Sequence, residues 1–242
     1  MMGSSRVRFD EIDGLRGFAI ANMVAYHLCY DLNHFGWTNF PIGLSPMWKI
    51  WQVSIISTFL LLIGISLVLR DVFKPSWRDF WKRWLQIVAS ALAVSLGSYL
   101  VFPESYIFFG ILHFISVALI LGRLLLRLGA YNLILGFLVI VLGLNLSHPF
   151  FNRLALSWVG LVTKEPFTQD FVPIFPWLGV VLIGCGLGSV WRSYDFKKSK
   201  WIERLSQFIL RFLPYVGKHS LAIYLIHQPV LFALLFAIGR KQ

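Results

Sequence analysis

A chain of 242 residues that is 57% hydrophobic and only 14% charged is not composed like a soluble domain, where about a quarter of residues carry charge. Its net charge of +11 could point to nucleic acid. The basic residues, however, sit in short stretches between apolar runs, where they set membrane orientation, so no nucleic-acid partner is expected. Cys29 and Cys185 lie inside apolar runs without metal-ligand spacing, so they read as small core residues and no metal centre is expected.

Apolar runs close to the ~20 residues that carry a helix across ~30 Å of hydrocarbon predict transmembrane helices, because only a helix satisfies its own backbone in lipid. Seven are predicted, at residues 14–35, 50–69, 84–102, 106–127, 131–147, 171–191 and 219–238. The expected fold is an all-α, polytopic transmembrane helical bundle of about seven spans, forming one domain over 1–242. Ahead of the first run, Asp10, Glu11 and Asp13 stand among Arg6, Arg8 and Arg16. No small-residue cleavage site follows a short apolar region, so the first helix is expected to stay in the mature chain.

The first span carries the most chemistry. Arg16 and His27 are eleven positions apart, which returns them to one helix face with an offset of roughly 20° and a rise of about 16 Å. Asp31 follows His27 on that face, and Asp13 can pair with Arg16 one turn back. Asn22 adds an uncharged polar group. Charge at mid-membrane is costly, so such residues are candidates for function. The pattern fits His27 as a base, Asp31 as the carboxylate that holds its tautomer, and Arg16 as the grip on an anion. The plainer reading is a polar stripe joining helices.

Farther along, the stretches 71–83 and 200–215 mix bases with aromatics and read as interfacial segments, with Trp77, Trp81, Trp84 and Trp201 at headgroup level. His113 lies a third of the way into the fourth span, and His227 sits near the middle of the seventh, beside Pro229. By depth both could reach His27, and each could equally bond a neighbouring helix. Asp170 precedes a rigid, aromatic Pro173–Trp177 approach to the sixth span. Gly184, Gly186 and Gly188 read as a packing face. With the N-terminus in the cytoplasm, seventeen of the 22 Lys and Arg residues fall inside, leaving Lys49, Arg153, Lys164, Arg240 and Lys241 outside. That bias supports this orientation and an odd number of spans.

The run Glu11–Gly17, with His27 and Asp31–Leu32 after it, resembles the opening of a bacterial membrane-protein family related to the catalytic domain of heparan-alpha-glucosaminide N-acetyltransferase. The likeness continues through Phe59–Leu67, Phe109–His113, Pro173–Gly179 and Ser220–Pro229. The Arg and His of the first span are also similar to those of the wider transmembrane acyltransferase superfamily. The resemblance implies a bacterial inner-membrane acyltransferase that takes acetyl from cytoplasmic acetyl-CoA to an amine or hydroxyl of a sugar or glycan at the outer face. Arg16, with Asp13, would hold the acyl-CoA. His27 would act in transfer, with Asp31, His113 and His227 as further catalytic candidates. The bilayer is the remaining partner, and a homodimer is a candidate assembly. The alternative is a proton-coupled transporter or exporter using the histidines as a relay. Against it, the sequence holds no inverted repeat and no matched pair of broken helices.

Overall fold

A computed structural model describes residues 9–72, 76–194 and 212–239. Helix dominates these residues: α1 (Asp10–His34), α2 (Pro46–Val72), α3 (Trp77–Val101), α4 (Ile111–Leu125), α5 (Asn132–Asn145), the single turn α6 (Leu154–Ser157), α7 (Ile174–Ser193), α8 (Leu213–Lys218) and α9 (Ser220–Ile238). Asp10, Glu11 and Asp13 occupy the first turn of α1, where the positive helix end favours carboxylates. α1 stops where Gly36 takes φ 78. The Gly36 N–H then donates to Asn33 O at 3.2 Å and the Trp37 N–H to Leu32 O at 2.9 Å, the paired bonds of a Schellman stop. The expected interfacial stretch 71–83 is largely helix, because Ser76 caps α3 by accepting from the Asp79 N–H at 3.2 Å. Most of the 200–215 stretch, with Trp201, lies outside the described residues.

Among the described residues, five stretches are long and apolar enough to cross a membrane: Pro46–Val72, Trp77–Val101, Ile111–Asn145, Ile174–Ser193 and Ser220–Ile238. The seven predicted runs differ from these at two places. α1 is absent from the five, since Asn22, His27, Asn33 and His34 add to Arg16 and Asp31 in lowering the hydropathy of its apolar run. The predicted runs 106–127 and 131–147 fall together in the single stretch Ile111–Asn145. That stretch is not straight, because Gly129 leaves helical geometry with φ 53 and ψ −128.

The chain divides into two compact units, residues 1–59 with 198–242, and residues 60–197. In the first unit α1 lies against α8 and α9. Its core of Ile20, Met23 and Ile55 is wrapped by Trp51, Phe59, Val216, Ile223 and Tyr224. Trp51 Nε1 donates to Asn22 Oδ1 at 3.4 Å while Tyr26, one turn on, meets Trp48, so α2 runs antiparallel to α1. His27 meets His227, Asp31 meets Gln228 and Phe35 meets Phe232, so α9 runs parallel to α1. The start of α1 rests on α8 at a glycine contact. A Cβ on Gly17 would strike the Leu213 carbonyl oxygen, and one on Gly217 would strike the Asp13 carbonyl oxygen.

In the second unit α7 is the central element. Gly184 and Gly188 meet Leu61 and Val68 of α2, while Gly186 meets Leu133 of α5. The predicted small-residue face is thus a packing face on two sides of α7. Gly136 faces Gly179, and Gly143 faces Pro176, so α5 runs antiparallel to α7. α4 runs parallel to α7, with Gly110 beside Asp170 and Gly122 beside Cys185. Trp84 Nε1 donates to Ser116 O at 2.8 Å, and Ser95 meets His113, so α3 runs antiparallel to α4. The chain therefore reverses at Gly129, and direction alternates from α2 through α3, α4 and α5 to α7.

Candidate functional site

The first unit brings four of the six predicted site residues, Asp13, Arg16, His27 and Asp31, onto α1, and faces the last two with α9. The rings of His27 and His227 lie 5.0 Å apart between centroids, at 60°. His227 Nδ1 lies 2.7 Å from the Tyr224 carbonyl oxygen and 3.2 Å from that of Ile223. Carbonyls only accept, so Nδ1 is the protonated nitrogen and Nε2 carries a lone pair. Nε2 is buried and meets no hydrogen-bond partner among the described residues. An imidazole held in one tautomer by its own helix, with its basic nitrogen uncommitted, is poised to take a proton.

Asp31 does not hold the His27 ring. It is 1% exposed, and its Oδ1 accepts from Gln228 Nε2 at 2.8 Å. Asp31 Oδ2 and Gln228 Oε1 are both buried without a partner among the described residues. Buried polar atoms are normally satisfied, so each of these two acceptors has an unmet demand for a donor. Gln228 received no role in the sequence reading, although an amide next to a histidine in an apolar run is itself a usable signal. His27 makes edge contact with Tyr26 at 6.0 Å, and no hydrogen bond among the described residues commits its nitrogens.

At the other end of α1, Arg16 donates to Asp13 Oδ1 at 2.6 Å, with 20% of its side-chain surface exposed. Lys218 of α8 pairs with Asp10 at 3.2 Å. α1 is unbroken between Arg16 and His27, so the rise of about 16 Å separates guanidinium and imidazole along one helix.

His113 belongs to the second unit, where both of its nitrogens are engaged. Nδ1 accepts from the Gly110 N–H at 3.3 Å, and Nε2 lies 3.1 Å from Ser95 Oγ. Since Nδ1 accepts, Nε2–H donates to Ser95, whose hydroxyl passes the bond on to Ile107 O at 2.5 Å. His113 thereby caps the start of α4 from its third position. Asp170 completes that cap, its Oδ2 accepting from the Ile111 N–H at 2.8 Å. Burial of this carboxyl group pushes it up to about 6, against the Ile111 N–H, which pulls it down. A folded value above the unfolded one gives stability that is full below the unfolded pKa and is lost as pH rises through the folded value. The purified protein is therefore expected to unfold at a lower temperature at about pH 7.5 than at about pH 5. Asp170→Asn should shrink that difference, and a thermal-shift series in which the variant keeps the whole difference would refute this.

Five helical stretches of membrane-crossing length among the described residues define an integral membrane protein, and its first unit sets two half-buried imidazoles against each other. The chain belongs to the heparan-alpha-glucosaminide N-acetyltransferase catalytic family, whose sequence profile it matches over residues 8–229. It is thus a membrane protein of an acetyltransferase family. No curated protein and no solved structure matches the chain.

Proposed function

We propose that this protein is an integral membrane acyltransferase that moves acetyl from cytoplasmic acetyl-CoA to an amine or hydroxyl of a sugar or glycan at the outer face. The observation that carries this reading is His227 Nε2, buried and unpartnered while Nδ1 is held by backbone carbonyls. A single-tautomer base of this kind suits deprotonation of a nucleophile. Membership of an acetyltransferase family supports the reading from a different direction.

In this scheme the acceptor nitrogen or oxygen attacks the thioester carbonyl carbon. Its proton passes to His227 Nε2, the C–S bond breaks, and the thiolate of CoA takes a proton back from the imidazole pair. His27, in ring contact with His227 at 5.0 Å, lies beside the reacting group. Asp31 Oδ2 and Gln228 Oε1 accept hydrogen bonds from the acceptor, which meets their unfilled demand. Arg16, steadied by Asp13, grips an anionic part of the donor, and an extended arm of about 16 Å then presents the thioester at His27. His113 acts at a remove, by fixing the start of α4.

We further propose seven crossings with the N-terminus in the cytoplasm of a bacterial inner membrane, all within one domain. Alternating helix directions inside each unit, and parallel first and last helices, support an odd number of crossings. The test is transfer of labelled acetyl from acetyl-CoA by the purified full chain to amino sugars and to their hydroxyl counterparts. Transfer lost in His227→Gln supports the scheme. Full activity in that variant, or proton-driven solute uptake in vesicles with no transfer, overturns it.

A further inference from the structure

Between α1 and the start of α2 lies a cavity of about 350 Å³, lined by Tyr26, the turn Gly43–Pro46, Lys49 and Gln52. The turn is tight. Gly43 adopts φ 84, and Leu44 and Ser45 both donate to the Pro41 carbonyl, at 3.1 and 3.0 Å. Tyr26, which lines the cavity, ends a run of aromatic rings outside it: Phe40 against Trp48 at 5.4 Å, Trp48 against Trp51 at 5.4 Å, and Trp51 against Tyr26 at 5.3 Å.

The polar lining is one-sided. Tyr26 and Ser45 bring hydroxyls, Gln52 an amide and Lys49 an ammonium, and no carboxylate lines the cavity. None of these four side chains hydrogen-bonds or ion-pairs with a described residue. Four donor-bearing groups around one space, one of them a full positive charge, match a ligand rich in acceptors and negative in charge. Tyr26 directly precedes His27 and touches it edge-on at 6.0 Å, so one lining residue of the cavity also contacts the candidate reaction centre.

We propose that this cavity is a subsite for a phosphate-bearing ligand, held by Lys49 with Tyr26, Ser45 and Gln52. This rests on the acyltransferase reading and sharpens it, because the subsite would hold the phosphate of the molecule that receives the acyl group. A soluble sugar phosphate and a lipid headgroup share this chemistry.

The experiment uses the full chain in phosphatidylcholine nanodiscs. Inorganic phosphate, glucosamine 6-phosphate and glucosamine are titrated by calorimetry. Both phosphate probes should bind more tightly than glucosamine. Lys49→Gln should weaken them about tenfold through loss of a charge-assisted bond, whereas Lys49→Arg should retain them. A thermal-shift measurement on each variant confirms that it is folded. Adding phosphatidylglycerol to the discs separates the two sources. Competition with the soluble probes marks the headgroup as occupant, and undisturbed binding marks the soluble ligand; either supports the subsite. Unchanged phosphate affinity in Lys49→Gln, no phosphate binding by the unmodified chain, or loss in Arg16→Gln alone overturns it. Because binding is read without turnover, the subsite can stand when acyl transfer is not found, and it can fail when transfer is.

Discussion

Replacing His227 with glutamine is expected to lower acyl transfer by about 100- to 10,000-fold, the usual weight of a positioned general base. Glutamine can keep a donor near the Tyr224 carbonyl but cannot take a proton, so folding and donor binding should survive while kcat falls. The bonds of Nδ1 to Tyr224 and Ile223 give this residue, rather than His27, the defined tautomer. His27→Gln should therefore cost less than His227→Gln. Imidazole added to a His227→Ala protein should restore part of the rate, because the vacated space opens beside the His27 ring. Equal losses in the two glutamine variants without rescue would show that the tautomer assigned from the carbonyl contacts does not set the chemistry.

Gly217→Ala is expected to cost about 1–3 kcal/mol of stability or more, the range for overfilled contacts. The new methyl would meet the Asp13 carbonyl, with the Gly17 nitrogen 3.0 Å away. These are backbone atoms of a continuous helix and have no rotamer by which to move aside. α8 would have to lift from α1, and the Lys218–Asp10 pair would open with it. Gly97→Ala is the matched control, since its added carbon meets nothing within 4 Å. There the gain in helix propensity should leave stability level or raise it by about 0.4–1 kcal/mol. Melting temperatures in detergent, read by loss of monodisperse protein, distinguish the two. Similar melting of both variants would mean that the close contact on α8 is not tight.

The membrane character and the all-helical class were legible because a span is a local property. A run such as 50–69 or 219–238 satisfies its own backbone and announces itself by length and polarity. The reversal at Gly129 was legible for the same reason, as a break between two runs. Partnerships were not legible. Helical spacing correctly places Asp31 on the His27 face, yet the carboxylate turns to Gln228, which is 197 residues away in sequence. No periodicity within α1 can signal a partner on α9. His113 shows the same limit from the other side. Its depth made it a candidate for chemistry, while its nitrogens serve Gly110 and Ser95 at a helix start. Depth in a span tells how costly a polar group is, but not what satisfies it.

In the seven-crossing arrangement α5 is the shortest traverse. Its 14 residues cover about 21 Å, well short of the ~30 Å of a typical hydrocarbon slab. Ile134, Phe137, Leu138 and Leu142 face outward along it, so lipid must meet this helix directly. The acyl chains nearest α5 must then shorten or tilt, at a cost of fractions of a kcal/mol per Å of mismatch. With seven crossings the bilayer would be thinned beside α5, and turnover should be faster in vesicles of short-chain than of long-chain phosphatidylcholine.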